Sequence, residues 1–107
     1  MDWRVVYLND IVRGEVEALS VEHRAAFRRI VELIAAKGLD RVHEPYIKHV
    51  EDKLWEMRLS GRDGIARVIY VTASGRRIVL LHAFVKKTQK APSRALALAR
   101  ARAMAVR

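Results

Sequence analysis

LWEMRLSGRDGIARVIY (Leu54 to Tyr70) and LLHAFVKKTQKAP (Leu80 to Pro92) decide the fold. In the first, Trp55, Met57 and Leu59 alternate with Glu56 and Arg58, the period of two that sends successive side chains to opposite faces of a strand. Ser60 to Gly64 reads as a turn, with a four-residue loop from Gly61 to Gly64. Ile65 to Ala73 is the next strand, Ser74-Gly75 a two-residue hairpin turn, and Arg76 to Val85 the third strand. The two turns fix a register. Leu59 pairs with Ala66, Arg58 with Arg67, Ala73 with Arg76, Val68 with Leu81, and Arg67 with His82.

This register sorts the side chains. One face collects Trp55, Met57, Leu59, Ala66, Val68, Tyr70, Val79, Leu81 and Ala83, an apolar set suited to receive helices. The other face carries Arg58, Arg67 and His82 in a row, with Ile65, Ile69, Ile78, Leu80 and Phe84 on the same side. Two arginines directly opposite each other repel by up to about 1 kcal/mol. The pairing makes sense where an anion or solvent lies between them. Lys86, Lys87 and Lys90 leave the last strand beside this row. A phosphodiester backbone suits such a face, because guanidinium groups fork onto phosphate and lysines act as point charges.

Outward from the meander, Trp3 to Leu8 is a short strand rich in Val and aromatics. Asn9 or Asp10 caps a helix from Ile11 to about Leu19, weakened by Gly14. Ser20 caps a second helix, in which Phe27, Ile30, Val31 and Ile34 form one apolar stripe and which Lys37-Gly38 closes. Leu39 to Lys53 reads as a polar connection containing Pro45. After Pro92-Ser93 the Ala, Leu and Arg-rich tail is a helix on propensity, although Ala recurs at every second position. The expected fold is α+β: an antiparallel sheet of about four strands packed on an N-terminal helical hairpin, with a C-terminal helix.

The 107 residues suffice for one domain with a modest core, spanning 1–107, and 51% apolar residues exclude a disordered basic tail. The absence of Cys excludes disulfides and thiolate metal sites. No run approaches a membrane span and the N-terminus has no signal-peptide pattern, so a soluble, cytoplasmic protein is expected. From Leu54 onward 12 Lys and Arg face only Glu56 and Asp63, a net of +10, whereas residues 1–53 carry 9 basic and 10 acidic residues. A charge so unevenly placed points to a polyanionic partner, foremost nucleic acid.

Plainer readings stand beside this one. A basic strand face is also simply a solvated surface. His82 in a central strand is more often a hydrogen-bonded structural residue than a catalyst. Trp55, Met57 and Tyr70 read as core rather than as a base-stacking platform, and Tyr46 is open to either use. His23 and His43 have no partners at metal spacing, so no metal and no cofactor is expected. No glycine-rich phosphate loop, nucleophile elbow or paired-carboxylate site is present.

The motifs Leu54-Trp55-Glu56-Met57-Arg58 and Leu81-His82-Ala83-Phe84-Val85-Lys86-Lys87-Thr88-Gln89-Lys90-Ala91-Pro92, with the order of elements around them, resemble the RelE/ParE superfamily of toxins and, within it, the phage-derived HigB-like branch. The resemblance implies the toxin of a type II toxin–antitoxin module. Such a toxin is a metal-independent mRNA interferase acting in the ribosomal A site. A helix-turn-helix antitoxin neutralises it, and operator DNA is met only through the complex. In RelE-like members the ribose 2′-hydroxyl attacks the neighbouring phosphate, leaving a 2′,3′-cyclic phosphate. By position, Arg67 matches the arginine on the scissile phosphate and Lys87 the basic residue that assists the leaving oxygen. Arg58 matches a basic residue of the preceding strand. His82, Lys86 and Lys90 belong to the branch's own motif, Lys86 and Lys90 as RNA contacts.

Two departures matter. Leu54 and Glu56 stand where RelE has lysines, and the final helix lacks the tyrosine that RelE uses in catalysis. Proton transfer then falls to His82 or Lys87, with Glu56 a further candidate. Two rival functions remain: ParE-like inhibition of DNA gyrase without nuclease action, and a non-catalytic basic module that binds RNA or ribosomes.

Overall fold

The computed structural model describes residues 2–62, 64–86 and 92–107. Five strands and three α-helices follow the order β1 (Arg4–Tyr7), α1 (Asp10–Glu17), α2 (Val21–Lys37), β2 (Ile47–Glu51), β3 (Leu54–Gly61), β4 (Gly64–Ala73), β5 (Arg77–Lys86) and α3 (Ser93–Ala103). They build one sheet in the order β1-β5-β4-β3-β2, antiparallel except for the parallel β1–β5 pair. The fifth strand is β2, which lies inside the segment expected to be a connection. Its Ile47 is buried against the core, while Lys48 and His49 are exposed, so it reads as polar in sequence.

The N-terminal helices start where their caps say. Asn9 Oδ1 accepts from the Val12 N–H at 3.0 Å, and Ser20 Oγ from the His23 N–H at 3.1 Å. Gly38, at φ 89°, ends α2 in a conformation that other residues adopt at a cost. Both helices lie on one face of the sheet, each on its own strand: α1 on β5 and α2 on β3.

The register of β3 with β4 is the expected one, Leu59 opposite Ala66 and Arg58 opposite Arg67, although pairing continues to Gly61 and Gly64 and shortens the loop to two residues. The register of β4 with β5 differs. Ala73 pairs with Arg77, so three residues make the turn, with Gly75 and Arg76 at positive φ. A bulge between Ile69 and Tyr70 then sets Ile69 opposite His82 and Tyr70 opposite Leu80. The pairing is thus shifted by one residue near the turn and by two beyond the bulge. A one-residue shift exchanges faces and a two-residue shift restores them. Accordingly Ile78 and Leu80 join Met57, Leu59, Ala66, Val68, Tyr70 and Ala83 under α1 and α2, not Val79 and Leu81 as the expected register had it. Val79 and Leu81 face the other way, packed with Leu54, Ile69, Val71 and Ala99 of α3.

Two further features place α3. Arg100 Nη1 meets Glu51 of β2 at 2.9 and 3.0 Å on one side. On the other, Arg102 Nη1 donates to the Leu81 carbonyl at 2.8 Å and to Glu15 Oε1 at 3.0 Å. Among the described residues no helix is long and apolar enough to cross a membrane.

Candidate nucleic-acid interface

The face that carries α3 divides in two. Its apolar part, near Val71 and Val79, lies under the helix. Its basic part is set by strand alternation. Arg58, Arg67 and Phe84 form one row across β3, β4 and β5. Lys48, Glu56, Ile69 and His82 form the next, and Ser60, Ile65 and Lys86 the row on the other side. Arg58, Arg67 and His82 therefore share a face, as expected, but Phe84 and not His82 stands opposite Arg67. His82 sits one row along and stacks on Phe84 with ring centroids 5.1 Å apart.

Arg67 is held from within the chain. Its Nη1 lies 2.9 Å from Glu56 Oε1 and 2.8 Å from Oε2, with the arginine side chain 13% and the glutamate 5% exposed. The acid that sequence reading left as a proton-transfer candidate is thus the counter-ion of the expected phosphate ligand. The Nε atoms of Arg58 and Arg67 are buried and have no hydrogen-bond partner among the described residues. Buried polar groups in folded proteins are normally paired, so these two guanidinium N–H groups on cross-strand neighbours stand out as donors left over among the described residues. Lys86, at the open end of the same face, has its pKa lowered. Reduced hydration contributes most, then the charge of Arg67, with Arg58 and Lys48 adding and Glu56 opposing.

His82 has in-chain partners too. Its Nδ1 lies 2.8 Å from Glu15 Oε1 and 3.5 Å from Arg102 Nη1, and the side chain is 14% exposed. The same carboxylate accepts from the Ala83 N–H at 3.2 Å. This cluster sits where β5 outruns β1: the last bond from that neighbour runs from the Leu8 N–H to the Leu80 carbonyl. Beyond it, Glu15 and Arg102 satisfy the exposed edge of β5. Burial alone would raise the Glu15 pKa, but hydrogen bonds from Arg102, His82 and the Ala83 N–H outweigh it and lower the pKa. With Nδ1 engaged, any proton-transfer role of His82 falls to Nε2.

Sequence reading missed Glu15, Lys48 and Arg102. Glu15 borders the stripe of buried Val12 and Val16, and that position was the one signal available for it. Lys48 was hidden in the unrecognised β2, and Arg102 in a helix whose faces the alternating Ala obscured. Trp55, expected in the core, is 39% exposed, whereas Tyr70 is 1% exposed as expected. The expected site residues Lys87 and Lys90 lie outside the described residues. Among the described residues no three His, Asp or Glu side chains converge as metal ligands.

A family model described as Phage derived protein Gp49-like (DUF891) matches residues 14–104. That span runs from the middle of α1 through the whole meander to the end of α3. No curated protein matches the chain.

Proposed function

Because the chain belongs to the Gp49-like family of phage-derived proteins, within the RelE/ParE-like toxin superfamily, we propose that it is the toxin of a type II toxin–antitoxin pair and cleaves mRNA on the ribosome. The observation that carries the reading is the pair of buried Nε atoms on Arg58 and Arg67 without a partner among the described residues, on a face where Lys48 and Lys86 add charge and Glu56 opposes it.

In the proposed reaction the 2′-oxygen forms a bond to phosphorus and the bond to the 5′-oxygen breaks. A base takes the 2′-hydroxyl proton and an acid supplies one to the departing 5′-oxygen. Arg58 and Arg67 stabilise charge on the phosphorane-like transition state, where fixed donors contribute most. Glu56 holds Arg67 in place. Lys86 and Lys87 serve the leaving oxygen. A lysine with a lowered pKa gives up its proton more readily near neutral pH. His82 Nε2 is the base in this scheme. A partner antitoxin neutralises the protein by covering the same charged face.

The test is to incubate the protein with translating ribosomes and map the 5′ ends of the transcripts. Cuts bearing 5′-hydroxyl ends, dependent on ribosomes and lost in a folded Arg58→Gln protein, are the expected result. One observation favours a second reading: Glu56 already neutralises Arg67, and Glu15 already holds His82. That arrangement suits a non-catalytic RNA- or ribosome-binding domain. Ribosome binding with intact transcripts would establish it and exclude cleavage.

A further inference from the structure

The chain has two tryptophans, and both line one open cavity of about 400 Å³ at the end of the sheet away from the basic rows. Trp3 enters from the segment before β1 and Trp55 from β3. Tyr70, almost fully buried, belongs to the same wall, and Asp40, His43 and Thr72 supply polar groups. Both indoles are held in place. The Arg76 guanidinium stands over the Trp3 ring at 5.7 Å. His49 meets Trp55 at 4.9 Å between centroids and an interplanar angle of 67°. Aromatic walls with a few convergent polar groups are the usual make-up of a small-ligand site, and this volume lies in the usual range.

The cavity is joined to the basic face around one strand. His49 stands opposite Trp55 in the β2–β3 register, and its neighbour Lys48 stands opposite Glu56 on the other face. β2 is the outermost strand, so no further strand separates the two. Along β3, Trp55 and Arg58 are three residues apart, about 10 Å of strand. Trp55 and Arg58 point to opposite faces of β3, so a single RNA strand that rests its phosphates on the basic rows enters this cavity by turning round the β2 edge.

We propose that the cavity takes one unpaired guanine of that strand, stacked against the indoles with its Watson–Crick edge donated to Asp40. The proposal rests on the RNA reading above. Single-stranded RNA is read by stacking bases on aromatic side chains and hydrogen-bonding their Watson–Crick edges. A carboxylate only accepts, so it selects the base with two adjacent N–H donors. Guanine has N1–H beside the N2 amino group. Adenine and cytosine each set their amino group beside an acceptor, and uracil sets one N–H between two carbonyls.

The two tryptophans make the test direct. The full chain is titrated with GMP, AMP, CMP and UMP. Indole fluorescence is followed with excitation at the red edge of the band, where the nucleotides do not absorb. Saturable quenching by GMP is expected, with the other three weaker by about tenfold or more. Trp55→Leu should weaken GMP binding by about tenfold, the effect of losing one stacking platform. Asp40→Asn, at an exposed position, should abolish the preference for GMP while the protein stays folded. No saturable quenching, or equal quenching by all four nucleotides, overturns the proposal; a cavity filled by a partner's apolar side chain gives that result. Transcript mapping is read separately. GMP selectivity with intact transcripts supports the cavity and removes the nuclease, while cleavage without quenching does the reverse.

Discussion

Replacing Glu56 with Gln removes the one acid among the described residues that acts on Lys86 beside Lys48, Arg58 and Arg67, and changes little else. The glutamate side chain is 5% exposed and its partner Arg67 13%. Breaking a buried ion pair from one side costs about 3–5 kcal/mol, because the remaining charge stays desolvated. Gln keeps an acceptor near Arg67 Nη1, and Arg67 retains some contact with water, which places the cost near the low end, about 3 kcal/mol. An unfolding entropy of roughly 2.1 cal/mol/K per residue, over 107 residues, converts this to a fall in Tm of about 13 °C. Differential scanning calorimetry measures it. Two controls make the reasoning specific. The double substitution Glu56→Leu/Arg67→Met removes both charges and should recover stability to within about 1–2 kcal/mol of the parent. Sulfate should raise the Tm of Glu56→Gln more than chloride at matched ionic strength, because an oxyanion can replace the lost carboxylate beside the Arg67 guanidinium. A Tm loss below about 3 °C, or a variant indifferent to sulfate, would refute the account of this face as a desolvated cation pair awaiting an anion.

Three further outcomes follow from particular contacts. Gly61→Ala should lower stability by about 1–3 kcal/mol in urea unfolding, since its Cβ would lie 2.8 Å from Nε2 of the buried His23. Glu15 has a lowered native pKa, so its contribution is present in full above the unfolded value near 4.5 and is lost as pH falls through the native one. Glu15→Gln should therefore flatten the dependence of stability on pH below about 4.5, read by denaturant midpoints across an acid series. Lys86→Gln should weaken RNA binding for all sequences alike and reduce the slope of log K against log salt by about 0.7, measured by anisotropy with a short single-stranded RNA.

The strand alternation from Leu54 to Leu59 and the paired arginines were legible because period two and a Gly-bounded turn fix register locally. The caps at Asn9, Ser20 and Gly38 were legible for the same reason: each depends on a side chain or glycine within a few residues. The β4–β5 pairing was not legible. Ser74-Gly75 satisfies the composition of a two-residue turn, and nothing in the sequence marks Leu81 as the residue that a bulge leaves over. The consequence was an exchange of faces for Ile78, Val79, Leu80 and Leu81, all apolar, so that either assignment looked acceptable. β2 escaped notice because an edge strand needs only one buried side chain, here Ile47. The partners of the site were invisible for a different reason. Glu15 meets His82 across 67 positions, and Arg102 meets Glu15 across 87. No local pattern encodes such pairs.

Those long-range pairs explain why part of the sheet stays open. β5 outruns β1, and an exposed strand edge invites pairing with another chain. Glu15 reaches it from α1 on one face and Arg102 from α3 on the other, so the same contact that blunts the edge also fixes where α3 lies. The Arg100–Glu51 pair on the opposite side is half exposed and contributes at most about 1 kcal/mol, so the β5 side carries most of the attachment. Held there, α3 covers Val71, Val79 and Leu81 with Ala99, and the rows of Arg58, Arg67 and Lys86 lie outside that cluster. On this view His82 is first a joint in the edge closure, and any chemistry it performs depends on Glu15 keeping Nδ1 occupied. Loss of Glu15 would then affect two things at once, the position of α3 and the orientation of the imidazole. The cationic pair on β3 and β4 would persist, because its register is set by the β3–β4 hairpin alone.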